Sequence, residues 1–361
     1  MGFQATFAII TAALMSGAVV ERKRFGPYLL FILAWSLLVY APVAHWVWGG
    51  GWLANAGALD FAGGTVVHVT AGITALVAAL VLGPRKEFRV QEIVPHNVPF
   101  VLLGTAMLWF GWFGFNGGSA GTADGTAGLA WVNTTVATAG AMLGWALVER
   151  LRDKHVTSLG MASGVVAGLV AITPAAAALT PLTSIVLGLA AGLACALAVG
   201  LKYRFGIDDS LDVVGVHLVG GLVGTIGIGF LAVDGGLLLG GGASLLLVQT
   251  LVAIVAMLIS AVLTLAIALV LKYTMGWRIP EADERAGIDI THHAEAGYDL
   301  VGALASRRDR PSTPAFSPRD PGPEPRNPAP VEGPGPVREA AGPGADAAEE
   351  TTRPAVAGEP R

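Results

Sequence analysis

Long apolar runs alternate with short polar segments over the first 275 residues of the chain, and no Lys or Arg interrupts a run. A helix needs about 20 apolar residues to cross the hydrocarbon core of a bilayer. Nine runs come near that length, at 3–20, 27–48, 61–82, 98–116, 127–148, 158–178, 182–201, 211–232 and 244–271. The pattern predicts an all-α polytopic membrane protein. The 158–178 run is the weakest span, because Ser, Gly and Pro174 interrupt it.

The segments between these runs differ in charge. Lys and Arg follow the first, third, fifth, seventh and ninth runs, whereas the alternate segments near 49–59, 117–126, 174–181 and 233–243 contain none. Because positively charged loops stay on the cytoplasmic side, the pattern predicts a multi-pass protein of the cell membrane with a cytoplasmic C-terminus. Met1 then stands at the outer end of the first run.

Composition agrees with this class. Hydrophobic residues make up 53% of the chain and charged residues 13%, about half the charged share of soluble domains. The net charge of −4 gives no reason to expect a nucleic-acid partner. The single cysteine, Cys195, excludes a disulfide framework and cysteine-based metal sites.

Two histidines lie in apolar runs, and each follows an aspartate by eight residues: His68 after Asp60, and His217 after Asp209. An intramembrane histidine is either a hydrogen-bonded packing residue or part of a pathway, and the repeated spacing favours a pathway between two related halves. Zinc sites need three or four protein ligands, and no further ligand is placed to help. Neutral imidazoles each offer one donor and one acceptor, so a facing pair could pass a small polar molecule or relay a proton.

The aspartates have two interpretations that can hold together. Asp60 and Asp209 precede apolar helices, where a carboxylate caps free N–H groups. A buried carboxylate also contributes negative potential to a cation site. By the loop charges, Asp60 lies on the outer side and can serve an outer vestibule, whereas Asp209 begins its span on the cytoplasmic side.

Aromatic residues are concentrated at the outer ends of two spans. One group is Trp46 and Trp48, and the other is Trp112, Phe113 and Phe115, with Ser119 just beyond. Such residues usually form an interfacial belt. The alternative is a cage for a compact cation, since each ring face attracts a cation by about 0.5–2 kcal/mol.

The chain divides into a membrane domain over 1–275, a polar cytoplasmic segment over 276–302 and a tail over 303–361. The Pro-, Gly- and Ala-rich tail is predicted to be disordered, since it cannot bury enough apolar surface to fold. The second aspartate–histidine helix is the fifth of a group that begins at residue 98, whereas the first is only the third from Met1. We therefore expect two upstream helices to be missing, and residues 1–361 alone to insert poorly and conduct nothing.

Six motifs occur in order over roughly residues 3–300: AHWVWGGG, LDFAGGTVVH, PHNVP, GWFGFNGGSAGT, GLVAITP and DDSLDVVGVH. Together they resemble the ammonium transporter (Amt/MEP/Rh) family on its bacterial Amt side. The resemblance implies a trimeric fold of eleven helices, built from two inverted five-helix repeats and a final helix. This chain resembles that fold from the third helix onward, as a truncated form of about nine helices.

The resemblance also implies roles for single residues. Phe7, Trp48, Phe115 and Ser119 match the outer recruitment site, and Phe7 with Phe115 matches a stacked gate. His68 and His217 match the twin histidines of the pore, Asp60 matches the structural and electrostatic carboxylate, and Ser163 and Val213 approach the pore lining. These assignments are implied by the match of motifs alone.

Two positions depart from the family pattern. Leu218 stands where the family usually has glycine after the second histidine, which brings close helix packing there into question. His293-Ala294-Glu295 stands where the family usually reads His-Gly-Glu, so docking of a PII-type regulatory protein on this segment is less certain.

These patterns predict a transporter rather than an enzyme, without a cofactor. Ammonium would be recruited in the outer cage and deprotonated, and ammonia would pass the histidines. Whether the proton follows separately stays open. One alternative is an ammonium sensor of the same fold, although such a sensor needs a signalling domain and the tail has no globular pattern. A non-functional fragment is the other alternative.

Overall fold

The computed structural model describes residues 1–90, 95–295 and 297, and the predicted tail lies outside them. Helices dominate the described part. The long ones are α1 (Gly2–Ser16), α2 (Phe25–Trp35, continuing through Ser36–Tyr40 and Ala41–Trp48), α3 (Gly64–Leu82), α4 (Val98–Gly118), α5 (Gly125–Arg152), α6 (Ser158–Ile172), α7 (Pro181–Ala198), α8 (Val214–Leu231) and α9 (Ser244–Thr274). The short ones are Trp52–Asn55, Leu201–Phe205, Leu237–Leu239, α10 (Glu281–Ala286) and α11 (Ile288–His292).

Six spans in the described residues are long and apolar enough to cross a membrane, namely α2, α3, α4, α7, α8 and α9. The helices α1 and α6 have 15 residues each. At about 1.5 Å per residue they fall short of a bilayer core of about 30 Å. Helix α5 has 28 residues but is not among the six apolar spans. The all-α polytopic class is confirmed, whereas the predicted number of nine spans is not.

Small residues allow α5 and α7 to lie almost in backbone contact. Gly188 and Gly192 of α7 face the carbonyl groups of Ala137 and Ala141 of α5, and a Cβ atom at either glycine would overlap those carbonyls. Helices in a membrane associate through such close packing, because lipid supplies no hydrophobic driving force between them. The pair forms a rigid wall on which α6 and α8 pack.

Three of the helices contain a π-helical turn, at Ser36–Tyr40, Gly64–Val69 and Val214–Leu218. The second and third of these are the first turns of α3 and α8, and they carry His68 and His217. In a π-turn the backbone hydrogen bonds join residues five positions apart instead of four, and such turns occur frequently at functional sites. The two histidine helices therefore begin with the same irregular geometry.

Loops 17–24, 83–90 and 206–212 lie together at one end of the bundle, which we name the inner end. Arg22 is completely buried there and donates to the carbonyl oxygens of Ala18, Gly83 and Asp208. Arg85 contacts both carboxylate oxygens of Asp208, at 2.8 and 2.9 Å. These contacts join three loops that are far apart in the sequence.

The described part of segment 276–302 packs on this inner end. The carbonyl oxygen of Trp277 accepts a hydrogen bond from the Arg24 N–H at 2.8 Å, and the Ile279 N–H donates to Arg22 at 3.1 Å. Helices α10 and α11 follow. Ala294, which replaces the usual glycine, has a φ of 54°, in the left-handed region that favours glycine.

Candidate functional site

The two histidines meet at the centre of the bundle. Their Nδ1 atoms are 3.2 Å apart, and the ring centroids are 5.2 Å apart with planes inclined by 20°. Both side chains are buried. One Nδ1 donates and the other accepts, so a single hydrogen lies between the rings. The Nε2 atom of His68 is buried without a protein partner among the described residues, which leaves it able to bond a small polar molecule.

Asp60 caps the helix that carries His68. Its carboxylate accepts four backbone N–H groups, those of Gly63 and Gly64 at 2.7 Å and those of Thr65 and Val66 at 2.9 Å. The side chain is buried, so this carboxylate faces the free N–H groups of the π-turn and not open solvent.

Asp209 has the same position at the start of α8. Its carboxylate accepts the N–H groups of Val213 at 3.0 Å and Val214 at 2.6 Å. The matched aspartate–histidine spacing therefore corresponds to a repeated local structure, in which a carboxylate cap precedes a π-turn that contains the histidine. Val213 contributes through its backbone to this cap.

Three of the aromatic residues assigned to the outer site pack together. Phe7 and Phe115 are stacked with centroids 4.5 Å apart, and the ring of Trp48 meets Phe7 edge-on at 5.5 Å. The Trp48 indole N–H donates to the backbone oxygen of Asp60 at 2.7 Å. Ser119 lies one helical turn beyond Phe115 and donates to its carbonyl oxygen at 2.8 Å, which leaves the lone pairs of the hydroxyl available.

Trp112 connects these rings to the histidines. Its ring is stacked on His68 at 5.5 Å and contacts Phe115 at 5.4 Å. Its indole N–H donates to the Thr173 hydroxyl at 2.8 Å. The rings in contact form an unbroken series, which we call the aromatic column: Trp48, Phe7, Phe115, Trp112, His68 and His217.

Other aromatic residues of the same outer region are not in the column. Phe113 is stacked on Trp131 at 4.0 Å, and Trp131 is half exposed. Trp46 packs on Trp52 at 6.1 Å, and Trp52 is also exposed. The belt interpretation therefore fits these residues, whereas Trp48, Trp112 and Phe115 turn inward.

The sequence analysis named Trp112 but left it between an interfacial belt and a cation cage, and it did not single out Thr173 or Gln249. Gln249 lies inside the apolar run that became α9. Ser163 lies half-buried on α6. Among residues 1–90, 95–295 and 297, no group of three His, Cys, Asp or Glu side chains could hold a metal ion.

The position of Leu218 is explained by a glycine on the facing helix. A Cβ atom at Gly72 of α3 would lie 2.5 Å from the Leu218 nitrogen and 2.6 Å from its Cα and Cβ. Both residues are buried. Close packing at this point is therefore retained, with the glycine on α3 and the larger residue on α8.

Residues 1–298 match the family model described as the Ammonium Transporter Family. An "Ammonium transporter" of Mycobacterium tuberculosis is 53% identical over 327 residues, which cover 85% of this chain and 69% of that protein. An "Ammonium transporter" of Bacillus subtilis is 47% identical over 307 residues, covering 82% of this chain and 75% of that protein.

Solved structures agree with the sequence comparisons. A structure entitled "Sensor Amt Protein" superposes with a TM-score of 0.74 at 34% identity, covering 80% of this chain and 75% of that one. Mep2 of Candida albicans gives a TM-score of 0.73 at 37% identity, covering 78% and 66%. The chain therefore has the ammonium-transporter fold, and it belongs to the ammonium transporter family.

Proposed function

We propose that this protein transports ammonium across the cell membrane, accepting the cation at the outer end of the aromatic column and passing ammonia along the histidine pair. The observation that carries this proposal is the unbroken contact from Trp48 through Phe115 and Trp112 to His68. One route thus joins a cation-attracting surface to a pair of hydrogen-bonding rings.

Recruitment takes place at Trp48, Phe7, Phe115 and Ser119. Ring faces attract a compact cation by about 0.5–2 kcal/mol, and the Ser119 hydroxyl can accept a hydrogen bond from it. The Trp48 indole N–H donates to the backbone oxygen of Asp60, the residue whose carboxylate caps the first turn of α3. The site therefore favours a small cation that can also donate hydrogen bonds.

Passage beyond the site requires a neutral species. Below Trp48 the rings of Phe7 and Phe115 are in contact, and a bare cation in such an apolar path loses its hydration without replacement. Neutral ammonia loses far less hydration free energy in the same path. Before the gate the ammonium ion transfers one proton to water of the outer solvent, which becomes H3O+, and the neutral ammonia continues toward the histidines.

The histidine pair guides the neutral molecule. With one hydrogen between the two Nδ1 atoms, each ring keeps its Nε2 for the passing molecule. Protonation of both facing nitrogens would direct two N–H groups at each other across 3.2 Å, so the pair opposes a doubly charged state. Asp60 and Asp209 fix the helices that present these rings.

We propose the oligomeric state of the protein from its family, and its orientation in the membrane from the loop charges. The protein acts as a homotrimer in the cell membrane, with its C-terminal segment in the cytoplasm. A PII-type protein docks on that segment. The arginine and lysine residues of the inner end agree with this orientation under the positive-inside rule.

The test replaces His68 and His217 with alanine, singly and together, in protein expressed from its own gene. Uptake of methylammonium or ammonia-dependent current should fall by about tenfold or more, since each lost hydrogen-bonding partner in a dry path raises the barrier by at least about 1.4 kcal/mol. His45→Ala is the matched control, because His45 is exposed on α2. Unchanged uptake and unchanged selectivity over potassium in the double variant would refute the proposal.

A further inference from the structure

A single buried amide on α9 holds the turn that precedes Asp60. Gln249 has no exposed surface and lies in a mostly apolar helix. Its Nε2 donates to the Leu59 carbonyl oxygen at 2.8 Å and to the Thr225 carbonyl oxygen at 3.1 Å, and its Oε1 accepts the Leu59 N–H at 2.9 Å. Three of the four hydrogen-bonding positions of the amide are therefore occupied.

Because Gln249 bonds both backbone groups of Leu59, it fixes the peptide that leads into Asp60. The two N–H groups that follow Asp60 are also bound: Phe61 donates to the Pro174 carbonyl oxygen at 3.0 Å and Ala62 to the Thr173 carbonyl oxygen at 3.1 Å. The backbone oxygen of Asp60 in turn receives the Trp48 indole. The position of Trp48 thus depends on a turn whose first residue is set by Gln249.

The same amide reaches the second histidine helix. Thr225 lies on α8, eight residues after His217. Its hydroxyl is 2.9 Å from the hydroxyl of Thr65, which lies three residues before His68. Gln249, Leu59, Thr225 and Thr65 therefore form a polar brace that ties α9, the Asp60 turn and the two histidine helices together.

We infer that Gln249 is a positioning residue for transport, which holds Trp48 at the recruitment site and the two imidazoles at hydrogen-bonding distance through this brace. The inference rests on the proposed roles of Trp48, His68 and His217. Leu59 lies outside the helices, so its backbone groups need partners in any case. A role limited to satisfying them would affect assembly but not the affinity for substrate or its dependence on pH.

The experiment compares Gln249→Met and Gln249→Glu with the unchanged protein, each expressed from its own gene in cells without other ammonium uptake. Methionine keeps the length and loses every hydrogen bond. A protonated glutamate reproduces both bonds to Leu59, whereas an ionised one cannot donate. Ser260→Ala is the matched control, since Ser260 is a buried polar residue of the same helix whose hydroxyl has no partner among the described residues.

We expect Gln249→Met to raise the half-saturation for methylammonium by about threefold or more, at normal amounts of assembled protein. We expect uptake by Gln249→Glu, divided by that of the unchanged protein at the same pH, to rise as the pH falls from about 8 to about 5, because burial at this position raises the pKa of a glutamic acid from its ordinary value of about 4.3 into this range. Asp60, the titratable side chain next to Leu59, is present in all the proteins, so its own titration cancels in the ratio.

Equal half-saturation in Gln249→Met and the unchanged protein would overturn the inference. A ratio for Gln249→Glu that does not change with pH would also overturn it, and this ratio decides the question if the methionine variant does not assemble. The histidine variants, measured in the same experiment, distinguish this inference from the proposed function. If they lose uptake while Gln249→Met behaves normally, only the role of Gln249 is wrong; if they keep full uptake, the proposed function is wrong.

Discussion

At the scale of single residues, Trp48 uses two parts of its indole for two different contacts. The ring meets the edge of Phe7, and the N–H donates to the backbone oxygen of Asp60. A leucine could replace neither contact, and a phenylalanine could replace only the first. The two substitutions therefore separate the aromatic surface from the hydrogen bond.

We expect Trp48→Leu to raise the half-saturation for ammonium by about fivefold, the equivalent of about 1 kcal/mol of lost cation–π attraction. Trp48→Phe should have a smaller effect, because it keeps a ring. Uptake measured against concentration in both variants gives the result. Trp46→Leu is the control, since Trp46 packs on the exposed Trp52. An unaltered half-saturation in Trp48→Leu would return Trp48 to the interfacial belt.

Individual residues were predictable where spacing repeats. The spacing in the sequence from Asp60 to His68 equals that from Asp209 to His217, so the two helices could be recognised as related. Gln249 has no such counterpart, because an amide in a 31-residue apolar helix carries no periodic signal. Trp112 was ambiguous because a tryptophan near the end of a span usually belongs to an interfacial belt but can also form part of a cation cage.

At the scale of helices, the contact between α3 and α8 depends on which helix supplies the glycine. Gly72 faces the backbone of Leu218, one residue after His217. Since backbone atoms cannot rotate away, any side chain at position 72 must push α8 outward. The same movement would separate His217 from His68.

We expect Gly72→Ala to destabilise the protein by about 1–3 kcal/mol, as overpacking of a close contact does, and to lower uptake. Gly104→Ala is the matched control, because nothing lies within 4 Å of a Cβ atom at Gly104. Thermal unfolding in detergent and uptake measured on the same preparations provide the comparison. Similar behaviour of the two variants would show that the α3–α8 contact is less tight than the structure indicates.

Helix positions followed closely from the apolar runs, but helix geometry did not. The run 158–178 became a helix that ends at Ile172, two residues before Pro174, as the restricted backbone before proline requires. The π-turns at Gly64–Val69 and Val214–Leu218 could not be anticipated. Apolar spacing distinguishes a helix from a strand, and not one helical hydrogen-bond pattern from another.

At the scale of the whole molecule, Asp208 joins distant parts of the chain at the inner end. Burial acts to raise the pKa of its carboxyl group, but hydrogen bonds from Arg85 and the charge of Arg22 outweigh burial and hold the pKa below its ordinary value. Burial also lowers the pKa of Arg22 to about 10. The network is therefore fully charged at neutral pH.

Because the folded pKa of Asp208 is lowered, its contribution to stability is present above the unfolded value of about 3.9 and is lost as the pH falls through the folded value. We expect Asp208→Asn to lower the free energy of unfolding by about 3–5 kcal/mol at neutral pH, since it removes the carboxylate that pairs with the buried Arg22 and leaves Arg85 paired with Glu21. The midpoint temperature of thermal unfolding should then decrease less steeply with falling pH in this variant than in the unchanged protein. Asp234→Asn is the control, because Asp234 is exposed. If the unfolding midpoint depends on pH in the same way in both variants, the proposed contribution of the charged Asp208 to stability is wrong.

The class of the molecule followed from its apolar runs, whereas its inner end did not. Arg22 was counted as one of the loop charges that orient the chain, yet it is completely buried. The positive-inside rule counts basic residues by loop, and it carries no information on which of them meet a carboxylate. Arg22 and Asp208 are 186 positions apart, so no local pattern indicates their contact.

The stacked rings of Phe7 and Phe115 also bear on the energy supply of the cell. With their centroids 4.5 Å apart, no water molecule fits between them, so a continuous file of water cannot run between the two rings. Such a file would conduct protons, and each proton lost inward dissipates about 2.3 kcal/mol per 100 mV of membrane potential. A path that runs between these rings, as proposed above, would therefore pass a neutral molecule without discharging the membrane potential.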